Sequence, residues 1–396
     1  MALPHNSLMN RRELALSAMA GGASLLLSAA ANASPETAAG GFFDVRKLGA
    51  AGDGKTDDTR TLQKALDAAG ENGGAVFVPP GVYLTSELHI RPGTALVGIP
   101  AWNYSGPSGG SGSQLGGSIL QLAPGDSKGL LNLTDARGAT MEGLALDGRN
   151  LGKGVHGIFT DRSEYPKHED GFRIERCQVV HFSGDGASLS HAWCFSVRHS
   201  MFGFNQGDGL QLRGWDGFIL DNWFSDNARA GFAARLENAS VTFTGNRIEW
   251  NHEENMLIAG GDGYQITGNF FDRAGTVGLA LRRSRWPCTQ FAITGNFFKR
   301  SGKHAEPTSQ DSAQIWLDGA TGVTLTGNNL QAGRDDGNAG VWSPAYGIVY
   351  KGLENCVLSN NVLHDGALRQ LLLDLGGNGD GLVVRDNPGR LFVEKH

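Results

Sequence analysis

The chain has 396 residues, a formal net charge of −6 and 19% charged residues, a balance that offers no basic surface for nucleic acid. Fifty-nine glycines against thirteen prolines ask for many turns, and no strict three-residue glycine period points to collagen. Cys177, Cys194, Cys288 and Cys356 stand far apart without a CxxC pair, which suggests neither a zinc site nor a disulfide framework and leaves free, packed thiols as the expectation.

At the N-terminus, Asn10-Arg11-Arg12-Glu13-Leu14 precedes a weakly apolar Ala/Gly/Ser/Leu run closed by Ala31-Asn32-Ala33. That arrangement reads as a twin-arginine export signal over residues 1–33, followed by a linker over 34–41. Ser17, Gly21, Gly22, Ser24 and Ser28 dilute the run, so it lacks the unbroken apolar span of about 20 residues that a membrane helix needs. The expected location is periplasmic or secreted, with no membrane contact after cleavage. Twin-arginine substrates cross already folded, in keeping with a fold that does not wait for disulfides.

Residues 42–396 read as one domain, with a cap over 42–100 and repeat coils over about 141–390. Phe42-Phe43-Asp44-Val45 is expected as a strand and Gly52-Asp53-Gly54 as a turn. Leu62, Ala65, Leu66 and Ala69 mark one apolar face of a helix, with Asp57 or Asp58 as its N-cap and Gly70 as its end. Strand, turn and strand follow in Ala75-Val76-Phe77-Val78, Pro79-Pro80-Gly81 and Val82-Tyr83-Leu84. A helix there would cover the open edge and core of a first coil. Gly49 to Thr56 matches the spacing of a phosphate loop, but Asp53, Asp57 and Asp58 would crowd a phosphate with negative charge and no alternating β-α pattern follows. The segment reads as a glycine turn.

From about residue 141 the chain repeats. Asn222, Asn246, Asn269, Asn296, Asn328 and Asn361 each open a short apolar strand at spacings of 24, 23, 27, 32 and 33, and Ser200 and Cys177 extend the series backwards. Gly209-Leu210-Gln211-Leu212-Arg213 alternates with period two, and no helical stretch intervenes. One coil per period gives an all-β parallel β-helix, a single-stranded solenoid with an N-terminal capping α-helix. The asparagines then stack as a corner ladder.

Asp44-Val45-Arg46 through Asp57-Asp58, the cap helix and Val78-Pro79-Pro80-Gly81 resemble the pectate-lyase-like N-terminal segment shared by polygalacturonases, mannuronan C5-epimerases, inulin fructotransferases and phage tailspikes. Met141 to Gly148, Ile174-Glu175-Arg176 and Phe182 to Gly186 are most similar to the epimerase catalytic module, a resemblance covering about residues 42 to 260. It implies a right-handed β-helix that handles polysaccharide and, in some members, assembles as a homotrimer. The family motifs for reaction depart. Ser188-Leu189-Ser190-His191 stands where the epimerases carry Asp-Pro-His-Glu, Gly207-Asp208-Gly209 resembles the single Asp of polygalacturonases but their Asp-Asp doublet is missing, and the acidic residue of inulin fructotransferases would be expected near Ala259, so that resemblance stops at the fold.

Stacking turns the repeat into a surface map. Aligned on Gly157, Gly186, Gly209, Gly231, Asn255 and Gly278, the position four residues on reads Asp161, Ser190, Arg213, Arg235, Ala259 and Arg282, so three arginines line one sheet. They suit the carboxylates of an acidic polysaccharide, or form a solvated face balanced by neighbouring acids. The position before the aligned residue reads His156, Asp185, Asp208, Ala230 and Glu254. Asp185 and Asp208 could hold Ca²⁺ against a uronate while Arg213 or His252 takes its α-proton, a lyase reaction. Alternatively, Asp208 and Glu254, two coils apart, could serve an inverting hydrolase, and a non-catalytic glycan-binding or adhesive protein is the third reading. Each Asp beside Gly also suits a plain turn. Arg285 adds a cation beside the Trp286 plate, Trp316 and Asp318 are expected to project outwards, all three as sugar-binding candidates, and residues 147–156, 302–313 and 333–345 enlarge one corner of their coils.

Overall fold

A computed structural model describes residues 41–100 and 117–394, so the expected signal and most of the linker lie outside the described residues. Asp53, Thr56, Asp57 and Asp58 converge just ahead of the helix Thr59–Asn72. Asp58 stands at the N-cap, but its carboxylate turns back to accept the amides of Ala51 at 2.6 Å and Gly52 at 2.9 Å. The glycine loop's amides are thus taken by an internal acid. Asp53 accepts from Lys55 and Thr56, and those hydrogen bonds lower its pKa to about 2. Leu62, Ala65, Leu66 and Ala69 are all buried, as the pattern requires. Gly70 does not end the helix. It lies inside, where a Cβ would come within 2.5 Å of the Arg91 side chain, and the helix runs on to a C-cap at Gly73.

After the cap, the coils lay down strands on three faces, with Ala187–Arg198 and Leu210–Leu220 each running through two of them, and every coil-to-coil strand pairing is parallel. The first face stacks His156–Thr160, the front of Ala187–Arg198, the front of Leu210–Leu220, Phe232–Ala234, Met256–Ala259, Leu279–Arg282, Ala313–Asp318, Tyr346–Lys351 and Gln370–Asp374. The second face runs from Thr140–Glu142 through Arg173–Glu175 to Val383–Arg385, and the third from Ala145–Asp147 to Asn329–Gln331. This is the right-handed parallel β-helix read from the sequence. Inward side chains stack into columns, such as Phe202 on Phe224 at 5.4 Å and Phe271 on Phe298 at 4.6 Å. All four cysteines are free, and Cys177, Cys288 and Cys356 are buried in this core.

Two corners are built alike. Between the second and third faces, Asn222, Asn246, Asn269, Asn296, Asn328 and Asn361 pass amide hydrogen bonds from coil to coil at 2.9–3.1 Å. The residue before each is left-handed, as at Asp221 with φ 56° and Gly268 with φ 65°. A short polar side chain after an αL residue can reach the next coil's backbone, which is why the bend selects asparagine. A second ladder, Asn205 to Asn227 to Asn251 at 3.0 and 2.9 Å, turns the chain from the third face to the first. Close stacking there excludes side chains: a Cβ on Gly209 would lie 2.5 Å from the Gly231 carbonyl oxygen.

Each ladder amide is satisfied on both sides, so deleting one orphans several buried groups. Asn269 donates to the Phe243 carbonyl and the Asn296 side chain while accepting from Asn246. Replacing Asn269 by Ala is expected to cost about 3 kcal/mol, since each unsatisfied buried group costs about 1–3 kcal/mol. Urea unfolding of the two proteins measures it, and an unchanged midpoint would deny the ladder a structural role.

Candidate active site on the first face

The first face holds the charged side chains that the repeat alignment singled out. Ser190 pairs with Arg213 and Ala259 with Arg282, and the pairing of Leu210, Phe232 and Met256 sets Arg213, Arg235 and Ala259 in line. The arginines therefore share a column, with side chains 28%, 26% and 27% exposed for Arg213, Arg235 and Arg282. Each has an acid partner. Arg213 meets Glu237 at 2.6 Å, Arg282 meets Asp311 at 2.6 Å, and Arg235 clamps Asp208 with both terminal nitrogens. The bare cationic strip is thus a row of ion pairs, because like charges one coil apart, roughly 4.8 Å, repel unless acids intervene.

Asp208 is fully buried, accepts the Ala230 amide at 3.0 Å and is filled by Arg235, so it cannot touch a substrate. Its expected catalytic role becomes one of positioning Arg235. The Ca²⁺ proposal fails on the same contacts. Asp185 accepts the Asp208 amide at 2.9 Å and lies 3.4 Å from His156, both oxygens of Asp208 face a guanidinium, and no cluster of three metal-binding side chains exists among the described residues. Burial raises the pKa of Asp185, with the neighbouring Asp208 charge adding to it and His156 opposing it.

Glu254 differs from the other acids. It enters the corner column beside Ala230, two coils from Asp208, and apart from its own backbone amide nothing among the described residues pairs with its carboxyl. Burial raises its pKa, while Arg282 and Arg235 on the adjoining coils hold that rise back. A carboxyl that is half-buried, unpaired and flanked by guanidiniums is poised to exchange a proton beside a bound anion.

A family described as "Right handed beta helix region" matches residues 156–330 and 233–394, more than half of the chain. The chain belongs to the right-handed β-helix family. A second family, "Rhamnogalacturonase A/epimerase, pectate lyase-like", matches residues 42–112. Two mannuronan C5-epimerases of Azotobacter vinelandii are relatives: AlgE3 is 28% identical over 48% of this chain and AlgE5 27% identical over 60%. The chain spans only 11% and 24% of those two proteins. The AlgE6 A-module of the same organism superposes with a TM-score of 0.56 at 20% identity over 88% of this chain and 99% of that one, a likeness of fold alone.

On this β-helix the remaining expected residues scatter. His252 is exposed and pairs with Asp226 at 3.1 Å at the corner, off the arginine column. Arg285 lies over Trp286 at 5.0 Å in the turn between the first and second faces. Trp316 projects from the first face but is 3% exposed, covered by Arg282 at 4.7 Å and Lys351 at 5.2 Å, so it is no open sugar platform. Asp318 pairs with Lys351 at 3.3 Å. The three expected insertions all lie in the connection from the third face to the first, and one of them supplies Asp311.

Four further side chains gather round Arg213. Tyr165, in the loop after His156–Thr160, stacks on Trp215 at 3.9 Å and meets His191 edge-on at 4.9 Å, and Glu237 completes the group. Burial lowers the His191 pKa and the Arg213 charge lowers it further. The Tyr165 hydroxyl is buried without a partner. Sequence reasoning missed Tyr165 and Glu237 because neither lies in the repeat register.

Proposed function

We propose that this protein acts on an acidic polysaccharide, alone or as a homotrimer, by taking the proton α to a uronate carboxylate. The observation that carries the reading is Glu254, an unpaired, half-buried carboxyl between Arg235 and Arg282. The free N–H groups of the arginines would hold the uronate carboxylate, withdrawing charge and acidifying the adjacent C–H. Glu254, as the anion, would accept that proton. Breaking the bond from C4 to the glycosidic oxygen, which leaves with a proton from water, then gives an unsaturated lyase product, and delivery of a proton from water to the opposite side of the ring, with Glu254 keeping the one it took, gives an epimer. The epimerase relatives and the pectate-lyase-like match support this reaction class. An inverting hydrolase is less well supported, since it needs two carboxyls facing one substrate and Asp208 is sealed off.

Product analysis on acidic glycans tests the reading. An unsaturated uronate absorbing in the ultraviolet identifies a lyase, and solvent deuterium entering the ring without chain cleavage identifies an epimerase. New reducing ends without that absorbance would replace the reading by hydrolysis, and binding without any turnover by a non-catalytic module. The reading places the protein outside the cytoplasm, through the Arg11-Arg12 signal. Replacing both arginines by lysine is expected to leave the precursor in the cytoplasmic fraction, and unchanged export would remove the twin-arginine assignment.

A further inference from the structure

The arginine column of the first face is interrupted on the very coil that carries the unpaired carboxyl. Along the paired strands, Arg213 and Arg235 are followed by Ala259 and then by Arg282. Ala259 ends the strand Met256–Ala259, and Glu254 stands two residues before that strand begins. The column therefore supplies this coil with no guanidinium.

The arginines on either side lie back across the sheet. Arg282 ends its strand, yet its guanidinium sits 4.7 Å from the Trp316 ring centroid, and Trp316 pairs with Ala280, two residues back. Arg235 likewise reaches back from the far end of its strand to Asp208, which precedes the strand of the coil before. Each thus covers the outward alanine of its own strand: Ala233 and Ala280 are 0% exposed, although they alternate with the core side chains Phe232, Ala234, Leu279 and Leu281. Leu257 holds the same position on the middle coil, paired with Ala233 on one side and Ala280 on the other, and it is half-exposed, as is Ala259. The face is notched at this coil. Leu257 and Ala259 form the floor, and Glu254 closes the end at the corner. The stems of Arg235 and Arg282 form the walls, rooted two coil spacings or roughly 10 Å apart.

We propose that this notch seats the reacting sugar and that Ala259 determines access to it by leaving Leu257 uncovered and Glu254 unpaired. The inference rests on the reading that the first face acts on an acidic polysaccharide. One ring of the polymer lies with its apolar C–H face on Leu257 and its carboxylate at the corner end, beside Glu254 and within reach of both guanidiniums. Ala259→Arg tests this, because two uses of an arginine row give opposite results. A column that merely attracts anions binds more tightly when it is completed, whereas a filled notch binds more weakly in spite of the added charge. Isothermal titration of the full chain with tetrasaccharides of mannuronate and of galacturonate should show binding at least tenfold weaker in Ala259→Arg than in wild type, and turnover should fall at least 100-fold. The variant should melt no lower than wild type, since its guanidinium pairs a carboxyl that burial disfavours as an anion. Ala259→Met, which fills the space without charge, should weaken binding as well. Gln265→Arg puts the same charge on the exposed second face of the same coil and should bind as wild type does. The proposal is overturned if Ala259→Arg and Ala259→Met bind as tightly as wild type, or if Gln265→Arg weakens binding as much as they do. Weakened binding of this pattern without any turnover by wild type overturns the proton-abstraction reaction and upholds the notch, and wild type that binds neither oligomer overturns both.

Discussion

Replacing Glu254 by Gln is expected to lower turnover of an acidic polysaccharide by about 10²–10⁴-fold, the range of general acid–base catalysis, while leaving the fold intact. The isosteric amide keeps the size of the side chain and cannot take a proton. Because burial raises the Glu254 pKa, the wild-type kcat/KM should climb with pH along a limb above the ordinary glutamate value, about 4.3, and the variant should lose that limb. Stability should move the other way. A carboxyl whose folded pKa is raised adds stability below its unfolded pKa and loses that contribution as pH rises through the folded value, so at neutral pH the ionised Glu254 works against the fold. The variant should therefore melt at least as high as wild type at pH 7, with the difference shrinking or reversing under acid. Unimpaired turnover in the Gln variant would remove Glu254 from the site.

Asp208→Ala should be the most destabilising single change on this face, by about 3–5 kcal/mol, the cost of stranding a buried charge. It removes the acceptor for the Ala230 amide and leaves the Arg235 guanidinium facing an empty pocket. A double variant that also converts Arg235 to Met should regain much of that loss, since replacing a buried pair by apolar groups is often neutral, yet it should stay catalytically impaired for want of Arg235. Urea unfolding of the two single variants and the double gives the coupling directly. If Asp208→Ala unfolds at the wild-type midpoint, the buried pair does not organise the column. A second variant, Asp208→Asn, checks the charge alone, because it keeps a side-chain acceptor for Ala230.

The repeat was legible because its determinants are local. Asn222 through Asn361, Gly186, Gly209 and Gly231 are required by corners that each coil must turn on its own, so the same residue recurs wherever the chain bends. The coil register followed, and with it the alignment of Arg213, Arg235 and Arg282. Gly70 lies inside the helix and not at its end because the glycine answers to Arg91, a neighbour supplied by the connection between the later strands Leu88–His89 and Thr94–Val97.

Ion-pair partners were not legible. Glu237 and Asp311 come from turns and an insertion outside the repeat, Tyr165 from a loop that folds back over Trp215, and the cover over Trp316 from Arg282 and Lys351 on its neighbouring coils. By itself the sequence determined which residues stack above one another, since a parallel solenoid converts spacing along the chain into position along its axis. Only the tertiary structure decided which of those charges are neutralised and which, like Glu254, are left to act, because electrostatic partners are chosen by distance through space between segments that share no period.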